Sequence, residues 1–107
     1  MTREEVALAC GLQDPHEYIK QTGKGHTTKM LCNAVASVSL GRRVVLVAHS
    51  AYYAKELKRK AHEMAARCGI RDARFECYSF GWWTDYGDRL MRGTNDLDVL
   101  RDHYHPR

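Results

Sequence analysis

Apolar positions along the chain switch between two periods. From Thr27 to Leu40 the apolar residues Met30, Leu31, Ala34, Val35 and Val38 recur at steps of three and four. That spacing lines one side of a helix, and Gly41 stands where helices commonly stop. Val44-Val-Leu-Val-Ala48 follows without polar alternation, the pattern of a strand buried on both faces. Ser50 is placed to cap a helix over about Ala51 to Cys68. Its inner face is Tyr53, Leu57, Ala61, Met64, Ala65 and Cys68, and Gly69 ends it. Arg74 to Phe80 alternates as a strand, with Phe75, Cys77 and Ser79 on one side and Tyr78 and Phe80 on the other. Trp82 to Arg92 reads as a short aromatic-rich helix or ordered loop. A last strand begins at Leu97 and runs into Asp102.

The N-terminal stretch is organised differently. Thr2-Arg-Glu-Glu5 has the spacing of a capping box. The helix it opens carries Val6, Ala9 and Cys10 and should stop near Gly11. Asp14-Pro15 marks a turn, and His16 to Ile19 is a short strand candidate. Strands therefore alternate with helices, which specifies a parallel sheet with right-handed crossovers. The expectation is one α/β domain over residues 1–107, a small three-layer parallel sheet with flanking helices.

Lys20-Gln-Thr-Gly-Lys-Gly-His-Thr-Thr28 lies between the short strand candidate and the first long helix. A strand, a glycine turn and a helix opening with threonines is the layout of a phosphate-binding loop, whose backbone N–H groups point at an anion. Three uses of such a turn stay open: an ordinary strand-to-helix connection, an anion site, or a loop that contacts a macromolecule. Against Gly-x-x-x-x-Gly-Lys-[Ser/Thr], Gly25 and Thr27 fit, while Lys20 replaces the first glycine and His26 the lysine.

The pattern resembles the P-loop NTPase fold, in particular small phage- or plasmid-type proteins built like the first part of a helicase-type nucleotide-binding core. Gly23-Lys-Gly-His-Thr-Thr-Lys-Met-Leu31 is similar to the loop, Val44-Val-Leu-Val-Ala-His-Ser50 to the second-strand motif, and Asp98-Val-Leu-Arg-Asp-His103 to a Walker B strand. The resemblance implies a degenerate, truncated P-loop-like domain. Gly23, Lys24, Gly25, His26, Thr27 and Thr28 would be its phosphate- or nucleotide-binding residues, and Thr27 with Asp102 would hold Mg²⁺. It also implies a loss. Histidine at position 26 has an intrinsic pKa near ~6.5 and is no permanent cation. His103 stands where the family keeps a water-activating glutamate. Each missing charged group commonly costs on the order of 100-fold to 1,000-fold in rate, so catalysis is expected to be impaired and no catalytic residue is assigned. Lys24 or Lys29 would be the substitutes for the missing lysine.

Composition bounds the rest. With 107 residues and 44% hydrophobic content, the chain suits one core. No apolar run approaches the ~20 residues of a membrane span. The charged Thr2-Arg-Glu-Glu5 is unlike a secretory leader, which predicts a cytoplasmic protein. Net charge is +4 with six histidines uncounted, compatible with nucleic acid or an acidic protein surface. Cys10, Cys32, Cys68 and Cys77 form no paired motif. They read as small apolar core residues in a reducing compartment rather than zinc ligands.

Two further surfaces are candidates. Trp82, Trp83, Tyr86, Arg89 and Arg92 combine aromatics and cations, as a stacking surface or an interface hot spot would; two adjacent tryptophans do not readily both fit a core. Arg42, Arg43, Lys55, Lys58 and Arg59 are candidates for a basic face, with Lys60 beside them. His103 and His105 share one side of the last strand candidate, a spacing that suits a metal, but the stretch His-Tyr-His-Pro-Arg reads first as a polar tail. The leading expectation is a phage or mobile-element accessory protein that binds a protein or ribonucleoprotein, in the manner of an anti-CRISPR inhibitor, with no cofactor. The alternatives are a nucleotide-binding protein or slow NTPase using ATP and Mg²⁺, and a nucleic-acid-binding module.

Overall fold

The computed structural model describes residues 1–12, 24–92 and 96–102. Four helices and three strands follow in the order α1 (Arg3–Ala9), α2 (Lys24–Ser39), β1 (Arg43–Ala48), α3 (Ala51–Arg67), β2 (Phe75–Ser79), α4 (Phe80–Met91) and β3 (Leu97–Arg101). The strand expected at His16–Ile19 lies outside the described residues.

Local chemistry accounts for most boundaries. The capping box forms: Glu5 N donates to Thr2 Oγ1 and Thr2 N donates to Glu5 Oε1, both at 3.2 Å. Ser50 accepts from the N–H of Tyr53 at 3.1 Å and opens α3. Ser79 accepts from the N–H of Trp82 at 3.2 Å and opens α4. That cap decides the open choice between helix and loop, and it starts the helix at Phe80. Helix α2 begins at Lys24, three residues before the start that periodicity predicts. The apolar stripe begins only at Met30, and an interior glycine disfavours helix by about 1 kcal/mol, so the pattern hides this first turn. Gly41 takes a φ of 82° after α2, a left-handed conformation that glycine adopts without the Cβ clash.

The three strands are parallel, in the order β2-β1-β3. Val44 pairs with Phe75 on one side and Asp98 on the other, and Val47 pairs with Tyr78 and Arg101. Central β1 is buried from Val44 to Ala48, as its unbroken apolar run predicts. The pleat sends alternate residues to two faces. Val44, Leu46 and Ala48 join Val6, Leu31, Val35, Leu57, Ala61 and Phe75 in one large core beneath α1, α2 and α3. Val45 and Val47 face the other way and meet Trp83 of α4, with Tyr78, Phe80, Leu90, Leu97 and Val99 around them. The molecule is therefore a small α/β domain with a three-strand parallel sheet and helices on both faces. Among the described residues no helix is long and apolar enough to cross a membrane.

Candidate functional site

The carboxyl ends of parallel strands collect loops and helix starts, and ligands bind there in α/β folds. At that edge the chain leaves β3 at Arg101 and makes one more ladder bond, from the N–H of Asp102 to Val47 O at 2.8 Å. That bond sets Asp102 against the end of β1. Its side chain is 4% exposed, the one buried charged residue among those described.

Two hydroxyls reach the same carboxylate oxygen. Thr27 Oγ1, in the first turn of α2, donates to Asp102 Oδ2 at 3.0 Å across 75 residues of sequence. Tyr53 OH, from the start of α3, donates to it at 3.1 Å. Burying a carboxylate without such donors is costly, so Asp102 locks α2 and α3 to the end of β3. The ring of His49, just past β1, lies 4.9 Å from that of Tyr53 and flanks it.

The opening of α2 supplies the complementary electrostatics. The first N–H groups of a helix have no partner within it, and its dipole makes that end positive. No acidic side chain lies in the first turn of α2. Thr27 and Thr28 face an open cavity of about 510 Å³ between α1, α2 and α3. Tyr53 joins them at its polar end, Leu31 and Met64 contribute apolar surface, and Lys60, Arg67 and Glu63 bring two positive charges and one negative.

The metal pair expected from the sequence is thus brought into contact. A threonine oxygen has one proton and two lone pairs. Giving its proton to Asp102 leaves the lone pairs for a cation, and the carboxylate sits behind as an outer-shell partner. Among the described residues no group of three or more His, Cys, Asp or Glu side chains converges on a metal position. Mg²⁺ commonly uses one or two protein oxygens plus water and phosphate, so the Thr27–Asp102 pair fits that ion. Lys24, Gly25 and His26 lie in the first turn of α2. Gly23, His103 and His105 lie outside the described residues. Sequence reasoning assigned Tyr53 to the inner face of its helix and missed its hydroxyl, because nothing local signals where that hydroxyl ends.

The two other candidate surfaces fare differently. Trp82 is 39% exposed and Tyr86 45% exposed. The Tyr78 and Trp82 rings stack at 4.2 Å and 11°, and Trp82 and Tyr86 lie 5.3 Å apart. Arg89 sits 5.9 Å from the Tyr86 ring, within cation–π reach. Arg92 is exposed at the end of α4. Trp83 is turned to the sheet at 6% exposure, and Tyr78 takes its place in the aromatic row. The basic residues form no single face. Arg42 is held by Asp98 through two bonds of 2.7 Å. Arg43 pairs with Glu76, and Arg59 with Glu56 and Glu63. Arg42 precedes β1 and Arg43 opens it, at the opposite end of the sheet from Asp102, whereas Lys55 and Lys58 lie on α3. Arg101 is exposed at the end of β3, and Asp98 takes Arg42 as its partner.

Compared with known proteins, the chain matches no family model, no curated protein and no solved structure.

Proposed function

We propose that this chain binds a phosphate-bearing ligand, a nucleotide with Mg²⁺, at the start of α2. The observation that supports this reading is the Thr27–Asp102 hydrogen bond, made by the two residues that the P-loop resemblance marks for the cation. The N–H groups of the first turn of α2 would receive phosphate oxygens. Thr27 Oγ1 offers a lone pair to Mg²⁺, and Asp102 fixes the direction of that hydroxyl. Bound Mg²⁺ would neutralise phosphate charge. Tyr53 keeps the carboxylate in place and the adjoining cavity takes the rest of the ligand.

Binding rather than rapid turnover fits these residues. His26 stands at the position of the permanent cation, and a lost charged group at a phosphoryl-transfer site commonly slows the reaction by on the order of 100-fold to 1,000-fold. Titration calorimetry of the full chain with ATP and Mg²⁺ tests the reading. The expected result is Mg²⁺-dependent heat that falls about tenfold in affinity in Thr27→Val, a change of ~1.4 kcal/mol. Absence of heat at millimolar nucleotide would falsify it.

A second reading is supported by the row of half-buried Tyr78 and exposed Trp82, Tyr86 and Arg89. Aromatic and arginine side chains are enriched where partners bind. In that reading the chain is an accessory protein whose α4 docks on a protein or ribonucleoprotein, and inhibition of a host defence complex is one form such docking takes. Capture of one defined complex, abolished by Trp82→Ala with the fold intact, is the expected result. Equal capture by the variant removes this reading.

A further inference from the structure

Three cysteines remote in sequence gather where α1 and α3 end. Cys10 is the C-cap of α1 and Cys68 the C-cap of α3. Both reach one carbonyl: the N–H of Cys68 donates to Met64 O at 3.1 Å, and the Cys10 thiol contacts the same oxygen at 3.8 Å. That shared carbonyl sets the two residues beside each other at the ends of α1 and α3. Cys32, from α2, packs into the same core at 3% exposure.

Access separates their roles. Cys10 and Cys68 are both half-buried, and Cys10 also lines the open cavity, so it is the thiol placed to meet a solute there first. Burial, followed by the neighbouring Cys10, pushes the Cys68 thiol up. Burial pushes Cys32 up to about 11, with Cys10 and Cys68 adding to the effect. At 3% exposure Cys32 is closed to solutes, which leaves it as core filling. Cys77 stands apart on β2.

We propose that Cys10 and Cys68 are an oxidisable pair that a peroxide converts to a disulfide, tying the end of α1 to the end of α3. The Cys10 thiolate attacks one peroxide oxygen and the O–O bond breaks. Hydroxide leaves, takes a proton and becomes water, and Cys10 becomes a sulfenic acid. The Cys68 sulfur, giving its proton to solvent, then attacks the Cys10 sulfur. The S–O bond breaks, hydroxide departs and collects that proton, and the S–S bond forms. Two thiols are oxidised and one hydrogen peroxide is reduced to two waters. The closed loop spans just over half of the chain and restricts the unfolded state accordingly.

The test treats the full chain with a slight excess of hydrogen peroxide, maps peptides by mass without reduction, and counts free thiols under denaturing conditions. The expected result is a Cys10–Cys68 linked peptide, loss of two of the four thiols, and a melting temperature raised by several degrees. Dithiothreitol should reverse all three. Cys77→Ser should behave as the parent, whereas Cys10→Ser and Cys68→Ser should form no intramolecular link. A bridge from Cys10 to Cys32 or Cys77, or sulfinic acid on Cys10 with Cys68 still a thiol, overturns the proposal. Mapping of the parent chain decides between these outcomes even if a serine variant fails to fold.

Discussion

The two faces of the sheet are built to different plans. On one, α1, α2 and α3 press many small and medium side chains around Val44, Leu46 and Ala48. On the other, α4 covers Val45 and Val47 mainly through the indole of Trp83. The first face distributes its burial over many contacts and sets the helix ends that carry Thr27 and Tyr53. The second concentrates its burial in one ring and leaves Trp82 and Tyr86 outside. The lesson is one of division: the thick face holds a fixed polar site, while the thin face offers aromatic surface.

The largest expected effect tests that concentration. Trp83→Ala should cost about 3–5 kcal/mol, the range for removing a large buried aromatic, measured by urea unfolding. A loss below about 1 kcal/mol would mean that α4 is held by something other than its indole. Next comes Gly87→Ala. A methyl there would sit 2.7 Å from two atoms of the Trp83 ring, closer than contact allows. Displacing the ring should cost about 1–3 kcal/mol and shift tryptophan fluorescence. An unshifted spectrum with unchanged stability would show that α4 gives way freely.

On the thick face Tyr53→Phe keeps the ring and removes one donor from the Asp102 carboxylate. The expected loss is about 1 kcal/mol, with weaker Mg²⁺-dependent nucleotide binding if the proposed function holds. Unchanged binding would separate Tyr53 from the site. The smallest effect concerns pH. The Arg42 hydrogen bond, aided by Ser37 and by the Arg42 charge, holds the Asp98 carboxyl below its ordinary 3.8. A depressed carboxyl stabilises the fold above its unfolded value, and that contribution disappears as pH falls through the folded value. The pair is partly open to solvent, so screening keeps the effect small. Asp98→Asn should flatten the melting-temperature profile slightly below about pH 4 and leave neutral pH little changed. A steeper acid profile in the variant would refute this.

Much of the thick face was legible in the sequence. The unbroken run of β1, the three-and-four stripe of α2 and the serine ahead of α3 each carry their own local signal. The order of the threonine turn and the Asp102 strand also pointed to their meeting, through a likeness to known loops. Three features were hidden because they exist only after folding. The hydroxyl of Tyr53 gains meaning from a carboxylate 49 residues away. The choice of Trp83 over Trp82 for burial depends on where Ser79 starts α4. The dispersal of the basic residues into ion pairs depends on strand register, which brings Arg43 alongside Glu76 and Arg42 to Asp98.

Asp102 is suspended from β1 by its own backbone N–H, so its carboxylate inherits the alignment of two strands. Adding or deleting one residue within β3 would rotate that carboxylate to the opposite side of the pleat and strand Thr27 and Tyr53 without their acceptor. The polar contact thereby acts as a proofreading mark for strand pairing: chains aligned correctly gain both hydrogen bonds, and misaligned ones lose them.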